Sequence, residues 1–170
     1  MKASVTAVAL AACLALTSGC RDGGTDFELT GKLFVFNYRV ATATYLITLR
    51  PTGPVPDGLT AVATFQDPAG GEPIVVRQRV WPKLEKLSLE SPPVRCIVKD
   101  RPYSVTIAIE DGSGAGLQTL NTTVTSSLDQ TVLPDRPLVV GPVYTPNPDL
   151  AGHPSGKLDG ADAEPCPAHG

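Results

Sequence analysis

Histidine is nearly absent from this sequence, and the few that occur lie together near the end. The chain of 170 residues contains two histidines, His153 and His169. Nucleophilic catalysis by serine or cysteine usually needs a histidine that the fold holds in place. The part of the chain before residue 145 contains no histidine, which argues against a hydrolytic triad. The sequence therefore predicts no catalytic residue and no enzyme.

Clustered positive charge and cofactor motifs are also missing. No two Lys or Arg residues are adjacent, and the formal net charge is -3, so nucleic acid is not an expected partner. The glycine-rich run "GSGAG" at 112–116 precedes no helix that would present its N-terminus to a phosphate, and we interpret it as a hairpin loop. Cys166 and the tail residues His153, His169, Asp159 and Asp162 match no structural zinc spacing. We expect no metal and no cofactor.

Long hydrophobic runs and helical periodicity are lacking after the first twenty residues. The start "MKASVTAVALAACLALTSGC" combines Lys2, an apolar run from Val5 to Leu16 and small residues before Cys20. The run holds about 12 residues, whereas a membrane-spanning helix needs about 20. This layout is typical of a secretory signal peptide, which we predict over residues 1–19.

The residues "TSGC" at 17–20 resemble a bacterial lipobox, with Thr17 where leucine is usual. The resemblance implies lipidation of Cys20 after cleavage, and therefore a membrane anchor. An ordinary signal peptide with an incidental cysteine is the alternative. Arg21, in place of Asp, follows Cys20, which by resemblance to Gram-negative sorting favours the outer membrane, facing the periplasm. The polar stretch 20–26 would then be a tether.

What the chain does contain is short strands separated by turn residues. "TYLITLR" places Tyr45, Ile47 and Leu49 on one face, and "YSVTIAIE" alternates in the same way from Tyr103 to Ile109. With 16 Gly and 17 Pro, segments such as "PTGPVPDG" and "EDGSGAG" supply turns. We predict an all-β fold: an immunoglobulin- or transthyretin-like antiparallel β-sandwich of seven to eight strands over residues 27–144.

The remaining residues, 145–170, are rich in Pro, Gly and Ala and contain few large apolar side chains. Such a composition buries too little surface to offset the entropy of ordering, so a disordered tail is expected. Cys96 and Cys166 are the cysteines left to pair if Cys20 carries lipid, and the periplasm is oxidising. A disulfide between them would hold the tail against the sandwich and cover a sheet edge. Two free thiols or a bond to another chain are the alternatives.

One possible contact surface lies in "PIVVRQRVWP". On the strand alternation Trp81 lies opposite Ile74, Val76 and Val80, and an exposed Trp can anchor a partner. Arg77 and Arg79 share its face. The alternatives are that Trp81 covers the rim of the sandwich and that the arginines form an ordinary solvated face.

Residues 29–128 resemble pilotin-like β-sandwich envelope lipoproteins of Gram-negative bacteria. The resemblance rests on "LTGKLFVFNYRV", "PIVVRQRVW" followed by "LSLESPP", and "RPYSVTIAIEDGSGAGL". It implies a non-catalytic lipoprotein of the cell envelope that assists an envelope protein partner, and it transfers no functional residue. A small-ligand or glycan-binding lipoprotein is the alternative function.

Overall fold

The computed structural model describes residues 26–158 and residue 166, and within them the fold is all-β. Nine strands follow in order: β1 (Phe27–Asn37), β2 (Thr42–Pro51), β3 (Thr60–Phe65), β4 (Ile74–Arg79), β5 (Leu87–Glu90), β6 (Pro102–Glu110), β7 (Gly116–Thr125), β8 (Val139–Val140) and β9 (Thr145–Pro146). Two 3₁₀ turns cover Gln130–Val132 and Pro148–Leu150. No helix in these described residues is long and apolar enough to cross a membrane. The predicted signal peptide and Cys20 lie outside the described residues.

Seven of the strands form two antiparallel sheets. Sheet 1 has the order β1-β2-β5, and sheet 2 has the order β4-β3-β6-β7. The chain therefore alternates between the sheets as it does in immunoglobulin-like sandwiches, which confirms the predicted fold class. Strands β8 and β9 form a separate two-stranded ribbon, joined by a turn over residues 141–144.

The core lies between the two sheets and follows the predicted alternation. Tyr45, Ile47 and Leu49 of β2 are fully buried. They face a row of buried residues from β6: Tyr103, Val105, Ile107 and Ile109. Because successive side chains of a strand point to opposite faces, one apolar residue in two is sufficient to fill the space between the sheets.

Aromatic rings close one end of this core. The ring of Phe34 lies 4.3 Å from that of Tyr45 and 5.7 Å from that of Tyr103, and Phe65 lies 5.0 Å from Tyr45. Burial raises the pKa of Tyr45 well above its usual value. Its hydroxyl donates to the backbone oxygen of Gln66 at 2.8 Å, so the buried polar atom is satisfied.

A tyrosine at the start of β6 fixes the preceding loop. The Tyr103 hydroxyl accepts a hydrogen bond from the N–H of Val98 (2.8 Å) and donates to the oxygen of Cys96 (3.4 Å). This is the tyrosine-corner arrangement found in immunoglobulin-like domains. It holds Cys96 in place, although Cys96 has a left-handed φ of 65° that is uncommon for a residue other than glycine.

The C-terminal region continues the fold beyond the boundary expected at residue 144. The Lys157 ammonium donates to the backbone oxygens of Thr131 (3.0 Å) and Leu133 (2.6 Å), and the Tyr38 hydroxyl donates to Ser155 O (3.2 Å). Cys96 and Cys166 form a disulfide with a Cα–Cα distance of 5.4 Å. Residues 145–158 are thus ordered by hydrogen bonds and turns with little apolar burial. Amino-acid composition reports mainly apolar burial, and for that reason it did not predict this order. The rest of the predicted tail, apart from Cys166, lies outside the described residues.

The strand directions give the sandwich two distinct ends. Strand β1 begins at Phe27 beside the loops 52–59, 80–86 and 111–115. We call this the proximal end. The β1–β2 turn, the loop 66–73 and the C-terminal region lie at the opposite, distal end, where Leu138 N–H bonds Arg39 O at 2.9 Å. The C-terminal region therefore covers the distal end rather than a sheet edge.

Candidate functional site

Strand β4 carries Arg77 and Arg79, Trp81 follows it two residues later, and the strand forms one edge of sheet 2. It pairs with β3 from Ile74 opposite Phe65 to Arg79 opposite Thr60. Pro73 and Pro82 flank it, which limits its length because proline cannot donate to a ladder. The alternation predicted here is confirmed around the end of the strand: Val80 is 0% exposed and Trp81 is 58% exposed.

Arg79 joins Trp81 to an aspartate on a neighbouring loop. The guanidinium carbon of Arg79 lies 4.3 Å from the centroid of the Trp81 ring, within the range of a cation–π contact. The same guanidinium lies 2.9 Å from Asp57 Oδ1. The hydrogen bond from Arg79, followed by that from the Gly58 N–H, holds the pKa of Asp57 below its usual value. Asp57 therefore keeps Arg79 over the ring.

Arg77 lies on the same face, two residues before Arg79. Its guanidinium is 3.0 Å from Glu110 Oε2, at the end of β6 on the far side of β3. The structure thus brings Arg77, Arg79 and Trp81 together as one exposed strip. We call these three residues, together with Val75, the β4 strip; Val75 is 55% exposed.

The acidic partners of the arginines were missed from the sequence. Asp57 lies in a loop before β3 and Glu110 ends β6, and both belong to segments that read as turns. Only the register of β3 against β4 and β6 brings them beside the arginines. Glu110 and Asp111 do play different parts, as expected of adjacent residues: Asp111 accepts hydrogen bonds from the N–H groups of Ser113 and Ala115 within the hairpin.

A concave region lies at the distal end, around the disulfide. This cleft has a volume of about 900 Å³ and is lined by Cys96, Cys166, Gln130, Lys157 and neighbouring residues. Lys157 contacts Asp135 at 3.3 Å as well as the two carbonyls described above. The N–H of Leu158 is the main cause that lowers the pKa of Asp135, and Lys157 adds to it. Lys157 and Asp135 are thus paired with each other within the chain.

Of the hypothetical metal ligands in the C-terminal region, only His153 and Cys166 lie within the described residues. Cys166 is bonded to Cys96, whereas Asp159, Asp162 and His169 lie outside the described residues. Within residues 26–158 and 166, no group of three or more His, Cys, Asp or Glu side chains is placed to hold a metal ion.

Comparisons with known proteins identify no family. No family model matches the sequence, and no curated protein matches it. A crystal structure of Bacteroides uniformis beta-glucuronidase is 14% identical with a TM-score of 0.38, and the likeness covers 60% of this chain and 13% of that chain. A structure of beta-glucosidase 3B from Thermotoga neapolitana in complex with alpha-D-glucose is 17% identical with a TM-score of 0.28, covering 59% and 16%. This chain spans a small part of either enzyme, and likenesses at these TM-scores carry no argument about function.

Proposed function

We propose that this chain is a non-catalytic lipoprotein of the bacterial cell envelope, anchored through lipid on Cys20, that acts as an interaction or assembly module for an envelope protein partner. The observation that carries the interaction part is the β4 strip. An arginine stacked on an exposed tryptophan, beside a second arginine, has the residue types that are enriched where proteins bind one another.

The anchor part rests on the sequence "TSGC" and is supported by one structural feature. The disulfide between Cys96 and Cys166 suits an oxidising compartment such as the periplasm. Residues 20–26 would join the lipid to β1 and span at most about 25 Å when fully extended. Facing the periplasm from the outer membrane, the sandwich would therefore hold its proximal end close to the bilayer and present its distal end and edges to partners.

Recovery of the lipidated protein from detergent-solubilised envelopes after chemical crosslinking tests this function. The wild type should bring down the same partner in repeated preparations. The Cys20→Ala variant should bring down less of it, because it would not be anchored beside the partner. Repeated recovery of the wild type alone would contradict the proposal.

A small-ligand or glycan-binding role is the second candidate, and one observation favours it. A shallow cleft on the outer face of sheet 2 is lined by Thr64, Gln66, Ser104 and Thr106, whose hydroxyl and amide groups could pair with sugar hydroxyls. A thermal-shift screen with envelope sugars tests this role. A sugar that raises the unfolding temperature of the wild type, and does so less for Thr64→Val, would favour it over the first candidate.

A further inference from the structure

Strand β4 has one side without a backbone partner among the described residues. Sheet 2 ends at β4, and none of the backbone hydrogen bonds outside the strand ladders involves Val75, Arg77 or Arg79. An exposed edge of this kind presents unpaired N–H and C=O groups and can pair with another chain.

The opposite side of the sandwich is closed by side chains. The Gln118 amide of β7 bonds both backbone groups of Phe27: its Oε1 accepts from Phe27 N (2.8 Å) and its Nε2 donates to Phe27 O (2.9 Å). Further along, Lys32 Nζ donates to Thr122 Oγ1 at 3.0 Å. These contacts tie the edge strands β1 and β7 to each other, so a strand added on that side would compete with them.

The hydrogen-bond pattern shows which residues of β4 face outward. Val80 N–H bonds Leu59 O at 2.9 Å, so Val80 and Leu59 form a hydrogen-bonded pair of the ladder. Such pairs alternate with pairs whose backbone groups point away. The backbone groups of Val75, Arg77 and Arg79 therefore point to the open edge, and an added strand would pair with these three residues.

The side chains of the same residues describe what would bind there. They project onto the outer face of sheet 2, where Arg77 and Arg79 reach Glu110 and Asp57. On an added strand, every second residue would lie beside them. Opposite charges at such cross-strand positions stabilise pairing, and like charges oppose it. A strand with carboxylates at alternate positions fits, with an apolar residue beside Val75.

A second copy of this chain fits poorly in one symmetric register. In an antiparallel pairing centred on Arg77, that arginine would face the same arginine of the other copy, with like charges directly opposite. The ion pair that Arg79 forms does not block an acidic strand. The side chains of Arg79 and Asp57 are 52% and 69% exposed, and pairs this exposed to water exchange partners at little cost.

We propose that the β4 edge takes up an extended acidic segment of the partner protein as an additional antiparallel strand of sheet 2, with the carboxylates beside Arg77 and Arg79. This inference rests on the proposed function and names the surface and the class of partner segment. Backbone pairing would provide affinity, and the alternating side chains would provide specificity.

Amide hydrogen exchange on the full chain in detergent, with and without a probe peptide, tests the inference. The probe is a short capped peptide in which Glu alternates with Val. The N–H groups of Val76 and Gln78 point into the β3 ladder, so they should exchange slowly in both states and serve as internal controls. The N–H groups of Val75, Arg77 and Arg79 should exchange rapidly alone and slowly with the probe.

Two altered peptides and two variants separate the parts of the inference. A probe with Lys in place of Glu, and a probe methylated on its pairing amides, should both bind at least about tenfold more weakly. The double variant Arg77→Glu/Arg79→Glu should lose affinity for the Glu probe to a similar extent. Arg50→Glu is the matched control, because Arg50 forms an equally exposed 3.0 Å pair with Glu28 on sheet 1, and it should bind the probe as the wild type does.

Several outcomes would overturn the inference. The first three are absence of probe binding, binding that leaves the three outward amides unprotected, and equal binding of the Lys probe. The fourth is protection that appears without the probe as the protein concentration rises, which would indicate pairing with a second copy. Failure here is distinguishable from failure of the proposed function. If Arg77→Glu/Arg79→Glu still recovers the envelope partner, the interaction role stands and the β4 edge is not its surface; if the wild type recovers none, the function itself fails.

Discussion

At the residue scale, the stability of this protein depends on buried side chains whose positions follow from strand alternation. Ile107 is fully buried in the middle of β6, whereas its neighbour Thr106 is exposed. The two residues are adjacent in the sequence, but their side chains lie on opposite faces of the sheet. They therefore provide a matched pair for testing which face of β6 is the core.

We expect Ile107→Ala to lower the free energy of unfolding by about 2–5 kcal/mol, because it leaves a cavity in the core. Thr106→Ala should cost less than about 1 kcal/mol, because its hydroxyl pairs with Asn121 at the surface. Urea denaturation monitored by circular dichroism measures both. Similar losses in the two variants would mean that β6 does not have one buried and one exposed face.

The tyrosine corner gives a second test on single atoms. Tyr103→Phe removes the acceptor of the Val98 N–H, and a backbone donor left unpaired in partly buried surroundings costs about 1–3 kcal/mol. Tyr38→Phe is the control, since its hydroxyl makes an exposed bond to Ser155 O, and it should cost under about 0.5 kcal/mol. Equal unfolding free energies for the two variants would show that the corner contributes nothing.

The pKa of Asp57 reports whether Arg79 of the β4 strip is paired with this carboxylate. Arg79 is the main cause that lowers the pKa of Asp57, so Arg79→Gln should raise that pKa toward its usual value. A carboxyl whose pKa is lowered in the folded state stabilises the fold above the pKa of the unfolded chain, and this contribution is lost as the pH falls. NMR titration should show the shift at Asp57 and none at Asp111, whose pKa is lowered by Ser113 and Ala115. An unmoved Asp57 would contradict the pairing.

At the scale of elements, the sequence predicted where the strands lie better than it predicted which strands pair with one another. Alternation in "TYLITLR" and "YSVTIAIE" identified β2 and β6 and their buried faces, because period-two patterning reports burial directly. Pairing and register depend on contacts between distant segments, which local patterns do not encode. For that reason the arginines of β4 were identified as a surface, while their partners Asp57 and Glu110 were not.

The closure between β1 and β7 is another such pairing, and it predicts an effect confined to one element. Gln118→Ala removes both amide bonds to Phe27, so amide exchange should accelerate in the first residues of β1. Thr119→Ala, one position along on the exposed face of β7, is the control and should leave exchange in β1 unchanged. Equal exchange in the two variants would mean that Gln118 does not hold the start of β1.

At the scale of the whole molecule, the disulfide joins two parts that are 70 residues apart in the sequence. Cys96 lies at the tyrosine corner, and the residues before Cys166 include the segment 145–158, whose order depends on hydrogen bonds and turns more than on burial. Composition alone predicted disorder there, because it reports apolar burial and not crosslinks or polar contacts.

Cys166→Ser should lower the free energy of unfolding by at most about 4 kcal/mol, the loop-entropy value for a crosslink of this span. The loss should fall mainly on the C-terminal region, so the amides of Leu138 and His153 should exchange faster while those of β6 are less affected. The wild type under reducing conditions serves as the control and should behave like the variant. Unchanged denaturation and exchange in both would contradict a stabilising role for the bond.

The anchor is the part of the account on which compartment, orientation and partner all depend, and lipid on Cys20 is its most direct test. Cells that produce the wild type or Cys20→Ala are grown with radiolabelled palmitate, and the purified proteins are compared. The account predicts label on the wild type, which should fractionate with membranes, and no label on Cys20→Ala. Absence of label on the wild type, or equal label on both proteins, would contradict it.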